Sequence, residues 1–96
     1  MYVKIHKSQD SIVTAICDED LIGKKFSDEE KQLEITERFY KGEITSEEET
    51  IKIMQAATNL NLVGKKTIDL ALKNKIIDKD SIIKIKNIPH AQIFEI

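Results

Sequence analysis

The side chains best suited to chemistry fall at a few places in the chain. His90 stands directly behind Pro89, the only proline, and Gln92 follows two residues later. On an extended strand His90, Gln92 and Phe94 share one face while Ala91 and Ile93 share the other. A histidine and an amide so spaced can converge on one ligand or satisfy a neighbouring backbone. Histidine's titration near neutral pH suits it to acid–base work. Cys17, the only cysteine, opens the run Cys17-Asp18-Glu19-Asp20. A nucleophilic cysteine needs a nearby base or cation to lower its pKa, and His90 or His6 could supply one. The three carboxylates push the other way, so a buried structural thiol is the favoured reading.

Gly64-Lys65-Lys66-Thr67 resembles a phosphate loop but fails the pattern Gly-x4-Gly-Lys-Ser/Thr. Asn59 holds the place of the first glycine, and a second lysine intervenes before Thr67. What survives is a glycine and two lysines at a helix start, where free N–H groups favour anions, weighed against an ordinary solvated lysine pair. Arg38 and Tyr40 lie in Glu37-Arg38-Phe39-Tyr40-Lys41-Gly42. If this stretch is a strand they face away from Leu33, Ile35 and Phe39, toward solvent, as an arginine–tyrosine pair of the kind enriched in binding hot spots. His6, Cys17, His90 and Asp18 or Asp20 are chemically suitable metal ligands. Their spacing matches no ligand pattern, and neither a metal nor a cofactor is expected.

These residues sit in 96 residues with 41% hydrophobic and 33% charged content, the balance of one globular domain spanning 1–96. A lone cysteine rules out an internal disulfide. The net charge of −2 and the presence of Arg38 as sole arginine argue against strong binding of free nucleic acid. No apolar run reaches membrane-spanning length, and the N-terminus enters alternation at once, so no signal peptide is expected. A cytoplasmic location is the expectation.

The elements that must position the candidates follow from periodicity. Residues 2–6 and 11–17 predict a β-hairpin about the polar cluster 7–10. Leu21 to Phe26 makes a turn and a short extended piece, and 27–31 a connecting turn. Leu33-Glu34-Ile35-Thr36-Glu37-Arg38-Phe39-Tyr40 alternates and predicts a strand. Ser46 and Glu49 have capping-box spacing ahead of Ile53, Met54, Ala57 and Leu60, which predicts a helix broken by Asn59, Asn61 and Gly64. A second helix runs from about Lys65 to Lys75. Residues 82–85 form a strand, Asn87 turns the chain, and a terminal strand follows Pro89 to residue 96. The order β-β-β-α-α-β-β predicts an α+β domain, a mostly antiparallel sheet covered on one side by a helical pair.

Four blocks carry a resemblance. Cys17-Asp18-Glu19-Asp20-Leu21-Ile22-Gly23-Lys24, Glu37 to Gly42, Asn61-Leu62-Val63-Gly64 and Pro89-His90-Ala91-Gln92 together resemble an archaeal family catalogued as domain of unknown function 424. The resemblance spans the chain in order. It implies a small cytoplasmic archaeal protein with an α+β fold, and a surface combining residues 17–24, Arg38, Tyr40, His90 and Gln92. It implies no reaction; small archaeal families of this kind often belong to translation.

The leading expectation is therefore a non-enzymatic module docking a protein or ribonucleoprotein partner of the translation machinery. Lys24, Lys25, Arg38, Tyr40, Lys65 and Lys66 would make the contacts, with Gln92 and His90 giving specificity. The rival is a small-molecule or nucleotide-handling enzyme in which His90 acts with Cys17 or Asp18, which requires those groups to meet in one pocket. A homodimer through the terminal strand fits either.

Overall fold

The computed structural model describes residues 1–94. Strands β1 (Tyr2–Lys7) and β2 (Ile12–Cys17) form the predicted antiparallel hairpin, with Val3 opposite Ile16. A 3-10 turn at Glu19–Leu21 leads to β3 (Lys25–Ser27) and β4 (Gln32–Glu34), a separate two-stranded hairpin. Its turn is set by Asp28, whose carboxylate accepts from the Glu30 and Lys31 N–H groups. Helix α1 (Glu37–Tyr40) and strand β5 (Glu43–Ile44) follow, then α2 (Glu47–Ala56), β6 (Asn59–Val63) and α3 (Lys65–Lys73). Strands β7 (Ile82–Ile85) and β8 (Ile88–Phe94) close the described chain. Lys86 and Asn87 join them with φ of 50° and 66°, the left-handed pair that a two-residue hairpin turn requires.

The main sheet has the order β5-β1-β2-β6-β8-β7. Strands β2 and β6 run parallel, and the other pairings are antiparallel. The fold is thus α+β with a mostly antiparallel sheet. Helices α2 and α3 cover one face, where Ile16, Leu62, Met54, Ile68 and Ala71 form a core. On the other face the β3–β4 hairpin and α1 enclose Cys17, Val63, Leu33, Ile35, Tyr40 and Ile85. Burial of a side chain such as Ile35 or Leu62 contributes about 2 kcal/mol.

Three expectations are corrected. Residues 33–40 are not one strand, because the chain leaves β4 after Glu34 and Thr36 caps α1, its Oγ1 accepting from the Phe39 N–H at 3.1 Å. Helical geometry then turns Tyr40 inward, and it is 3% exposed, while Arg38 remains at the surface. The first long helix ends at Ala56, and residues 59–63, expected to be helix end and break, form a strand in the middle of the sheet. The terminal strand, the expected route to a homodimer, is not an open sheet edge, since β6 pairs along it and β7 pairs with it from Ile88 to Ala91. Its predicted run through Glu95 and Ile96 lies outside the described residues. The capped helix begins as expected, with Ser46 Oγ accepting from the Glu49 N–H.

Candidate functional site

Strand alternation decides which candidates can meet. Cys17, Val63 and His90 lie in one row across β2, β6 and β8, facing the hairpin layer. Val63 stands between the other two. Asp18, one residue later, turns its carboxylate to the start of α3 in the helical layer. The sheet therefore separates His90 from Asp18, and Val63 separates it from Cys17. The convergence that an acid–base or nucleophilic site built on these three requires is not assembled.

Each of them has a structural partner instead. Cys17 is fully enclosed. Burial, with Asp18 adding to it, pushes its thiol up to about 12 against the pull of the N-terminal ammonium. Such a thiol is protonated and unreactive at neutral pH. The Asp18 carboxylate accepts from the Lys66 N–H at 3.0 Å, the Thr67 N–H at 2.8 Å and the Thr67 hydroxyl at 2.8 Å. The anion expected at the Gly64-Lys65-Lys66-Thr67 helix start is thus the protein's own carboxylate. Gly64 makes room for it with φ of +110°; a Cβ there would lie 2.3 Å from the Asp18 carboxyl carbon.

His90 belongs to a different group, and its central member was not among the candidates. Asn61 Oδ1 accepts from the Tyr40 hydroxyl at 2.7 Å, and His90 Nε2 lies 3.0 Å from the same oxygen. An amide oxygen cannot donate, so His90 Nε2 carries its proton. Burial of the ring lowers the pKa of His90 below its ordinary 6.5, and burial raises that of Tyr40. Among the described residues, no buried side-chain nitrogen or oxygen lacks a hydrogen bond, and Nδ1 of His90 has no protein partner, so it faces water. The alternation Asn59-Leu60-Asn61-Leu62 was the signal that could have placed Asn61 on a strand beside His90.

The hairpin layer covers only part of this sheet face. On the uncovered part, Gln92 and Phe94 continue the β8 row from His90, with Ile83 opposite His90 on β7. Phe94 is 68% exposed and Ile83 45%. Exposed Lys24, Lys25 and Arg38 belong to the covering layer on the same side of the sheet. Nearby, His6 stacks on Phe39 at 4.6 Å and pairs through Nε2 with the Phe39 carbonyl. Lys65 and Lys66 are exposed but diverge. Lys65 lines a groove between α3 and β7, whereas Lys66 lines a cleft with Glu19, Asp20 and Glu47. Among the described residues, no cluster of three His, Cys, Asp or Glu side chains is arranged to hold a metal ion, and no helix is long and apolar enough to cross a membrane.

Comparison with solved structures finds the same architecture in an uncharacterized conserved protein from Methanopyrus kandleri. The two superpose with a TM-score of 0.81 at 26% identity, over 99% of this chain and 92% of the other. Comparison with curated proteins gives no match. Residues 6–96 match the family described as "Protein of unknown function (DUF424)", so the four-block resemblance holds and the chain belongs to that family.

Proposed function

We propose that this domain is a non-enzymatic interaction module that docks a protein surface, either free or carried in a ribonucleoprotein, through the uncovered part of the sheet face that the β3–β4 hairpin and α1 share. The observation that carries this reading is the row His90, Gln92 and Phe94 beside Ile83. Two large apolar side chains stand 68% and 45% exposed there, next to groups with free hydrogen-bonding capacity. Exposed apolar side chains grouped with polar ones on a rigid sheet are the composition of a docking patch. His90 Nδ1 and the Gln92 amide supply direction, and Lys24, Lys25 and Arg38 in the adjoining layer favour an acidic partner. The residues that an enzyme would need, Cys17 and Asp18, are committed to the core and to α3.

A partner in translation and a cytoplasmic setting belong to this proposal as its biological frame, supported by the archaeal family resemblance. The test is affinity capture from lysate of the source cells, comparing the wild-type chain with the double variant Ile83→Glu, Phe94→Glu. A protein enriched by the first and lost by the second supports the reading. Equal capture by both, or no enrichment by either, overturns it.

A further inference from the structure

A lysine-rich groove lies on the opposite side of the sheet. Helix α3 packs over β6 and β8, and the edge strand β7 projects beyond it. The groove between them has a volume of about 510 Å³. That lies within the range of about 300–1,000 Å³ typical of sites for small organic ligands. Its ammonium groups come from three separate elements: Lys65 from the start of α3, Lys79 from the 3-10 turn before β7, and Lys84 from β7 itself.

None of these lysines is in an ion pair; among the described residues the one ion pair joins the N-terminus to Glu19. Asp69 is the sole carboxylate lining the groove, which leaves a formal excess of two positive charges from three lysines and one aspartate. Unpaired like charges gathered around a cavity repel one another, and an anion placed among them relieves that cost. The floor is aliphatic, built from Ile68, Leu72 and Ile82, so a bare inorganic anion would leave most of it unused. At one end Asn87 stands in the β7–β8 turn with an amide able to donate and accept.

We propose that this groove binds a nucleoside monophosphate. A phosphate monoester carries a charge of about −1.5 to −2 near neutral pH, which matches the excess charge of the groove. The flat base would lie on Ile68, Leu72 and Ile82. Asp69 would accept from the ribose hydroxyls and Asn87 would bond the base edge. The phosphate sits among side-chain ammonium groups and not at the helix start, because Asp18 fills that position. This site lies across the sheet from the proposed docking patch and stands independently of it.

The test is a backbone-amide NMR titration of the full chain at low salt. The probes are the adenosine, guanosine, cytidine and uridine monophosphates, with adenosine and inorganic phosphate as controls. The expected result is a saturable shift of the Lys65, Leu72, Ile82 and Lys84 amides with at least one monophosphate. Both controls should bind about tenfold more weakly or worse, and Lys79→Ala, Lys84→Ala should weaken the monophosphate by about tenfold. That double variant alters exposed side chains, and its unperturbed remaining spectrum reports that the fold is intact. Absence of saturation by all four monophosphates at millimolar concentration overturns the proposal. So does an equal response to inorganic phosphate, or binding that the double variant leaves unchanged.

Discussion

A carboxylate only 6% exposed would be costly to enclose if it stood alone. Asp18 is accommodated because two backbone N–H groups and one hydroxyl of α3 converge on it from a segment 48 and 49 residues away. It works as a helix cap supplied from outside the helix, joining the end of β2 to the start of α3. Asp18→Ala should cost about 3 kcal/mol in chemical denaturation, since it leaves buried donors unmet. Asp18→Asn, which keeps one acceptor, should cost less, and a loss under about 0.5 kcal/mol for the alanine variant would refute the capping role. His90 makes a second prediction. Its folded pKa lies below the unfolded 6.5 because burial disfavours the charged ring. As the pH falls through 6.5 the unfolded chain gains a proton that the folded chain resists. The stability linked to His90 is therefore whole above about pH 6.5 and is lost as the pH falls toward the folded value. Urea midpoints between about pH 7.5 and about 5.5 should fall more steeply for wild type than for His90→Gln; parallel profiles would contradict the assignment.

At the level of elements, β6 shows what could and could not be read in advance. Within Asn59-Leu60-Asn61-Leu62-Val63 the first four residues alternate, yet two asparagines have poor strand propensity and follow directly on a helical pattern. Tertiary context decides the matter: Leu60 and Leu62 fill the helical core, while Asn61 serves Tyr40 and His90 on the other face. The α1 segment misleads in the opposite way. Leu33, Ile35 and Phe39 fit period two, but Thr36 caps a single helical turn and moves Tyr40 into the core. The β1–β2 hairpin, α2 with its Ser46 cap, α3 and the β7–β8 turn were legible because their signals are local. A contact such as Asp18 with Thr67, or the approach of Lys65, Lys79 and Lys84, depends on chain crossing and leaves no local signal. A double-mutant cycle tests the account of β6. Tyr40→Phe should cost about 1 kcal/mol and Asn61→Ala about 2 kcal/mol, with a coupling of about 1 kcal/mol between them. Strict additivity would show that the hydroxyl–amide bond contributes nothing.

Across the whole molecule, the sheet divides two kinds of surface. The helical side packs α2 and α3 over a core and carries the lysine-lined groove beside β7. The other side is closed by the hairpin layer around Cys17, Val63 and Tyr40, and open around Gln92, Phe94 and Ile83. Strands β5 and β7 are the edges of the sheet, and β8 is unpaired with β7 beyond Ala91. This leaves backbone as well as side chains available beside the open patch, as strand-addition partners require. The asymmetry makes a spatial claim: a docked protein should cover β8 and β7 from the hairpin side of the sheet and leave α2 and α3 free. Hydrogen exchange on the captured complex measures this directly. The account predicts slowed exchange at Ile83 and across residues 90–94, with α2 unchanged. Protection confined to α2 and α3, with β8 exchanging as in the free chain, would contradict it.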